Sequence, residues 1–366
     1  MSGALDGVRV LEVVDETAEY CGRLLAGLGA DVVKVEPRQG APSRRIGPFK
    51  DDVADPDNSL LFWHHNVGKR SVVVDTDDEL RELIRSAQVL VHTLRGPEAA
   101  QRGLLPAELD AGLVICAITP FGQDGPWAGY QADDLVLMAL GGSMAACGYG
   151  PKDPPLACHG DQAWHTASTY AAIAILAALW HGAGQFIDVS AHQASASMTE
   201  WHMMTYLCTG TPVPRFAHPT LEASDGRQVS ALTPDFLGAH VFANLLGLLE
   251  KDGVAGPLVD PAFADPGHRA SHYGEVYRAL RRLAERHDSE ELWRIGQEAG
   301  LPWGVIRSPE EVLEDRHLRA RGHFVDIDGV THCGAPFLAH GSPFEFRRPA
   351  PRLGEHTREV MAELAR

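Results

Sequence analysis

Apolar residues along the first 120 positions fall into two rhythms. Val8 to Val14, Asp31 to Glu36, Ser71 to Asp75, Val89 to Val91 and Leu113 to Ile118 are short runs rich in β-branched residues, as strands are. Between them, Ala18 to Leu28 and Asp77 to Ala87 place apolar residues at helical spacing. Gly29 falls where the first of these helices has to stop. Strand, helix and strand within about thirty residues form a βαβ unit, which implies a parallel sheet. No G-x-G-x-x-G follows the first strand, so the sheet carries no dinucleotide fingerprint.

Residues 120–160 are rich in Gly and Pro and read as loops, interrupted by a helical piece from Asp134 to Ala146. A long helix begins at or near Asp161 and runs through the Ala-rich stretch Ala167 to Trp180, followed by a strand at Phe186 to Val189 and a helix from Ala191 to about Leu207. From about residue 215 the texture changes. Ser224-Asp225-Gly226-Arg227 between β-like runs predicts a hairpin, and amphipathic helices follow at Pro234 to Leu249, His272 to Arg286 and Ser289 to Ala299. After Gly304 come another strand, an Asp328-Gly329 turn, a proline-spaced extended run and a final helix, Glu355 to Ala365. The organisation expected is a large α/β domain over residues 1–224, a small domain over 225–325 and a C-terminal return segment over 326–366.

Length and charge narrow the function. A chain of 366 residues with 45% hydrophobic and 22% charged residues is an ordinary globular protein, long enough for two lobes. Its net charge of −17 argues against nucleic acid or an anionic membrane surface as partner. The N-terminus lacks the basic and apolar regions of a signal peptide, and no apolar run approaches the length of a membrane span. Six scattered cysteines, none in a C-x-x-C pair, fit a reduced, cytoplasmic protein, and the 18 histidines form no metal-ligand pattern.

Three places could carry chemistry. Lys34, Arg38, Arg44, Arg45 and Lys50 stand against the single acid Glu36 in a loop-like segment, a basic island suited to a phosphate-bearing ligand, with Lys69-Arg70 as a possible addition. A solvated face paired with Asp51, Asp52, Asp55 and Asp57 accounts for the same residues. Asp133-Asp134 reads either as acid/base machinery or as the N-cap of the helix that follows. Asp161 likewise reads as an N-cap or as a carboxylate that the first-turn N–H groups hold ionised and aimed at a substrate, with His159 and His165 as flanking candidates to orient it or act as a base. No G-x-S-x-G elbow supports a serine hydrolase.

Several separated strings then fall into one order: Leu5 to Leu11, Leu28 to Glu36, Val67 to Asp75, Phe121-Gly122-Gln123-Asp124-Gly125-Pro126-Trp127, Gly160-Asp161 with Ile175 to Leu179, Gly184-Gln185 before Asp188-Val189-Ser190, and Leu353 to Thr357. In this order they resemble family III coenzyme A-transferases of the formyl-CoA and carnitine type, a group that also includes 2-methylacyl-CoA racemases. The resemblance implies a Rossmann-like large domain completed by the C-terminal segment, a smaller α+β domain, and an interlocked homodimer. It implies that Asp161 is the acylated carboxylate, that CoA contacts fall on Arg38, Arg44, Lys69, Thr93, Leu94 and Arg102, and that the partners are an acyl-CoA and a carboxylic acid, with no metal. Where family members carry Glu-Asn-Phe this chain has His92-Thr93-Leu94, and Glu16 to Cys21 replaces a stretch that is usually small and apolar. Asp133 stands where the racemases place a histidine, and residues 250–257 lack the glycine run of formyl-CoA transferases. CoA transfer through an aspartyl anhydride and an enzyme–CoA thioester is the activity expected; a proton-transfer enzyme and a non-catalytic CoA-binding partner subunit are the alternatives.

Overall fold

The computed structural model describes residues 2–150, 152–213, 215, 220–231 and 239–365. The chain divides into two compact units, Met1–Arg215 with His317–Arg366, and Phe216–Arg316. The expected start of a helix at Pro234 lies outside the described residues; a helix is described over Ala239–Lys251.

The first unit is built on six parallel strands: β1 (Arg9–Val13), β2 (Asp31–Glu36), β3 (Arg70–Val73), β4 (Val89–His92), β5 (Val114–Thr119) and β6 (Gln185–Ser190), in the order β3-β2-β1-β4-β5-β6. The order reverses between β1 and β4, and in open sheets of this kind ligands bind beyond the carboxyl ends of the strands at such a switch. Alternate residues serve two cores. Val10, Val32, Val89, Val91, Cys116 and Ile118 face one, with Leu25, Ala167, Ala171 and Ile175 from helices Glu19–Gly27 and Gln162–His181. Leu11, Val33, Leu90 and Ile115 face the other, where Leu83 of helix Asp77–Arg85 and Val360 of helix Thr357–Leu364 complete the packing. Helix Glu19–Gly27 ends where the sequence predicts: Gly29, at φ +103°, donates its N–H to the Ala26 carbonyl.

Two helices expected to be continuous are broken. Asp134–Leu140 and Ser143–Ala146 are separated at Gly141-Gly142, and Ala191–Ser197 and Glu200–Thr209 are separated at Met198-Thr199. The breaks meet each other: the Thr199 hydroxyl donates to the carbonyls of Gly141 (3.0 Å) and Ala196 (2.9 Å), a competition with the helix ladder typical of Ser and Thr.

Buried charge runs through the middle of this unit. Glu12, Glu19, Lys34, Glu36, Arg44 and Lys69 have no exposed surface. Lys69 Nζ donates to both Glu12 carboxylate oxygens (2.9 and 2.8 Å), the Glu19 carbonyl (2.7 Å) and Asn66 Oδ1 (3.0 Å). Lys34 pairs with Glu19 at 2.8 Å, and Glu19 also accepts from Ser43 Oγ (2.7 Å) and Asn66 Nδ2 (3.0 Å). Burial alone would raise the Glu19 carboxyl, but Lys34, His65 and Lys69 outweigh it and hold the group below the usual carboxylate range. The helix passes this network only because residue 22 is glycine: a Cβ there would lie 2.1 Å from Glu12 Oε1.

The C-terminal segment closes the β3 edge. Gly68 N donates to the Arg348 carbonyl (3.0 Å), Gly354 N to Ser71 Oγ (2.9 Å), Val73 N to Thr357 Oγ1 (3.0 Å), and His356 N to the Ser71 carbonyl (3.0 Å). The hairpin Phe324–Ile327 with Val330–Cys333 turns at Asp328-Gly329, as the sequence predicts. The second unit has its own antiparallel sheet of Thr220–Glu222, Gln228–Ser230 and Gly304–Val305, and its own core around Val229, Leu249, Leu280, Leu283, Leu292 and Trp303.

Replacing Lys69 by Met leaves Glu12 buried without its closest cation. The variant is expected to lose about 3–5 kcal/mol of stability, read from the shift of the urea midpoint at unchanged slope.

Candidate active site

Helix Gln162–His181 runs into β6 through Gly182–Gly184, so its C-terminus lies at the amino edge of the sheet. Twenty residues rise roughly 30 Å, which carries its N-terminus, and Asp161 with it, to the carboxyl edge where the switch point lies. Gly160, at φ +82°, makes the turn that lets the loop enter the helix there.

Asp161 is exposed and its side chain makes no capping hydrogen bond. The cap comes from another helix: Asp134 Oδ1 accepts from Ala163 N (2.8 Å) and Trp164 N (3.4 Å), the two first-turn donors that an N-cap side chain normally serves. Gln162 N donates to the Gly160 carbonyl at 3.0 Å. These first-turn N–H groups are therefore committed elsewhere, which corrects the reading of the Asp161 side chain as their N-cap. Burial raises the Asp134 carboxyl above its ordinary range, the Asp161 charge adds to this, and the accepted backbone N–H groups pull the other way. Asp133 caps its own helix, its Oδ1 accepting from Val136 N at 2.9 Å. The paired carboxylates are thus two caps, and the base that a proton-transfer route would seek at Asp133 is occupied.

His165 lies one turn beyond Asp161, its N–H on the Asp161 carbonyl at 2.8 Å. Its ring turns away into a group the sequence does not reveal. Tyr20 lies 4.3 Å from it between centroids, and His65 Nε2 lies 3.3 Å from His165 Nε2. His65 and His64 come from helix Leu60–Asn66, which Ser59 caps by accepting from Phe62 N at 3.1 Å. Burial and the neighbouring His65 push His165 down to about 4, against the pull of Asp161. His159 is exposed, and its carbonyl accepts from Gln162 Nε2 at 3.0 Å.

The residues expected to touch CoA separate into two sets. Thr93 and Leu94 follow β4 at the carboxyl edge: Thr93 Oγ1 accepts from Asp15 N (3.2 Å), and the Leu94 carbonyl accepts from Gln123 Nε2 (2.9 Å). Gln123 N in turn donates to Asp188 at 2.9 Å, so the Phe121 to Trp127 motif ties β4 to β6. Arg38 follows β2 on the surface beside Asp75, and Arg102 ends helix Gly96–Gln101 with Nε 3.3 Å from Asp77. Arg44 and Lys69 are different. The Arg44 guanidinium is buried over the Phe62 ring (3.7 Å), bidentate on Glu36 at 2.7 Å, with further bonds to Asp57 (3.0 Å) and the Pro351 carbonyl (3.0 Å). Lys69 spends its charge on Glu12. Neither presents a charged head to a ligand, and with Lys34 also inside, only Arg38, Arg45 and Lys50 of the basic island reach the surface. Among the described residues no three His, Cys, Asp or Glu side chains stand close enough together to hold a metal ion.

This division of labour is measurable. Asp134→Ala removes the cap of helix Gln162–His181 and is expected to cost about 1 kcal/mol, whereas Asp161→Ala is expected to stay within about 0.5 kcal/mol of the parent in denaturant unfolding.

The model of a family described as CoA-transferase family III matches residues 5–357. The chain is 31% identical over 389 aligned residues to succinate–glutarate CoA-transferase of Agrobacterium fabrum, covering 98% of this chain and 95% of that one. It is 30% identical to the BbsE subunit of succinyl-CoA:(R)-benzylsuccinate CoA-transferase of Thauera aromatica, covering 97% and 93%. The crystal structure of a CAIB/BAIF family protein from Brucella suis superposes with a TM-score of 0.86 at 26% identity over the whole of both chains. With the match running over nearly all of its length, the chain belongs to CoA-transferase family III.

Proposed function

We propose that this CoA-transferase moves coenzyme A from an acyl-CoA to a carboxylic acid with Asp161 as its nucleophile. The observation that carries this reading is an exposed carboxylate at a helix start that owes nothing to the helix, because Asp134 has taken over its cap. Asp161 attacks the thioester carbonyl, forming an aspartyl–acyl anhydride and releasing the CoA thiolate. The thiolate attacks the aspartyl carbonyl, giving an enzyme–CoA thioester and the free donor acid. The acceptor carboxylate then attacks that thioester, and the thiolate it expels takes the acceptor acyl group, restoring Asp161. Each step exchanges one acyl bond for another, so a hard direct transfer becomes a series of easier ones.

CoA is assigned to the carboxyl edge, along Thr93, Leu94 and Arg102, with Arg38 offering the exposed guanidinium for its phosphates. Arg44 and Lys69 support the loops from within through Glu36 and Glu12 rather than touching the ligand. The working form is a homodimer: Ile173, Trp180 and Phe186 with Trp201, Met204 and Leu207 leave large apolar side chains uncovered, Trp180 at 92% and Trp201 at 77% exposure, far beyond what a monomer's surface usually carries.

Incubation with a panel of acyl-CoA and acid pairs, hydroxylamine trapping and peptide mass spectrometry is expected to place the label on Asp161 and nowhere else. Turnover by a pair that leaves Asp161 unlabelled rejects the mechanism. In light scattering the parent chain is expected at twice its monomer mass, and Trp201→Glu with Leu207→Glu is expected to shift it toward the monomer.

A further inference from the structure

The Phe121 to Trp127 motif and the end of β6 enclose a cavity of about 240 Å³ that the exchange at Asp161 does not use. Three rings line it: Phe121 follows β5, Trp127 stands on the turn beyond, and His192 lies in the first turn of helix Ala191–Ser197. Their centroids form a nearly equilateral triangle, 5.7 Å from Phe121 to Trp127, 5.6 Å from Phe121 to His192 and 5.6 Å from Trp127 to His192, with interplanar angles of 81°, 60° and 47°. Tyr130 stacks beside Trp127 at 13° and braces it. Rings that served only to fasten their loop would be buried, whereas Trp127 is 41% and Tyr130 59% exposed.

The charge in the lining has one sign. Asp124 and Asp188 both line the cavity, and no lysine or arginine does. Burial raises the Asp188 carboxyl above its ordinary range and the Asp124 charge adds to this, while the opposing pull comes from the Gln123 N–H rather than from a cation. Asp188 is set in place beforehand: its Oδ2 accepts from Gln123 N (2.9 Å), and Gln123 Nε2 is itself tied to the Leu94 carbonyl (2.9 Å). The backbone offers an anion nothing here, because His192 N donates to the Pro120 carbonyl (2.9 Å) and Gln193 N to Ser190 Oγ (3.3 Å).

Rings and carboxylates together select the ligand. A metal ion gains little from ring faces, and among the described residues no three His, Cys, Asp or Glu side chains converge to hold one. A neutral apolar molecule would cover the carboxylates without pairing them. A cation that carries carbon satisfies both, since ring faces attract positive charge within about 6 Å of their centroids and also cover methyl groups. The volume lies below the about 300–1,000 Å³ of ordinary ligand pockets, so the cation is a small one.

We propose that this cavity binds a small organic cation of the alkylammonium class, its charge against Asp188 and Asp124 and its carbon groups on Trp127, Phe121 and His192. The site is independent of which residue serves as nucleophile.

The probe is choline, titrated into the full chain by calorimetry at matched ionic strength, with dimethylbutanol as its uncharged carbon twin. Choline is expected to saturate one site per chain and to bind at least tenfold more tightly than dimethylbutanol. Asp188→Asn keeps an acceptor for Gln123 N and is expected to weaken choline by fivefold or more while leaving dimethylbutanol unchanged; Trp127→Leu is expected to weaken both. Asp124→Asn, at an exposed position, keeps the charge test available should Asp188→Asn fail to fold, with a loss of about threefold expected. No saturation by choline, equal affinity for the two twins, or unchanged affinity in the variants that fold overturns the proposal. Binding that appears only when Trp201→Glu with Leu207→Glu has separated the subunits shows that a second copy covers the cavity, and overturns it as a site for a free cation.

Discussion

Three carboxylates and three cations with no exposed surface hold the large unit in register. Glu12 and Lys34 sit on neighbouring strands, Glu19 on the helix that covers them, Lys69 at the entry to β3, and Arg44 with Glu36 joins β2 to the loop beyond it. Each charge is costly to bury alone and tolerable only when all its partners are present, so the network fixes geometry more than it adds stability. Helix Glu19–Gly27 cannot slide along the sheet without breaking the contact of Glu19 with Lys34, and the segment before β3 cannot move without exposing Glu12 to an apolar interior. Tyr20 and Arg23 are carried on that same helix, so their position beside His165 follows from the network.

The candidate site separates two tasks that a single aspartate often combines. A carboxylate that caps its own helix has its lone pairs engaged, and using it as a nucleophile would uncap the helix in every catalytic cycle. Here Asp134 accepts the first-turn hydrogen bonds and is half-buried for it, while Asp161 remains uncommitted at the surface. The positive helix end still favours a negative charge at that position. The covalent change proposed for Asp161 would leave the cap of its helix in place.

The six strands were legible because a parallel sheet covered on both faces demands β-branched apolar runs, and Gly29 marked the end of the first helix by its backbone requirement alone. Asp161 was legible as a position but not as a state: no local pattern could reveal that a residue 27 positions earlier would supply its cap. The basic island misled for a related reason. Counting charges along a segment treats every side chain as exposed, whereas Lys34 lies in the middle of a strand buried on both faces and Arg44 folds back onto Glu36. A signal was present in the strands themselves. Glu12 in RVLEV and Lys34 in DVVKVE are charges inside runs that must be buried, and such residues have to find each other. The histidine cluster gave no such sign, since His64, His65 and His165 are brought together only by the packing of three helices.

The closure of the β3 edge by residues 344–364 also bears on how the chain is made. Ribosomes deliver residues in order, at about 5–20 per second, and domains generally fold as they emerge. The second unit, with its own core, lies between the two stretches of the first and is complete before the Arg44 guanidinium can meet the Pro351 carbonyl or Ser71 can meet Gly354. Until the return segment emerges the larger sheet therefore waits with one edge unpaired, and a nascent chain held at that stage presents β3 to whatever strand or chaperone reaches it first.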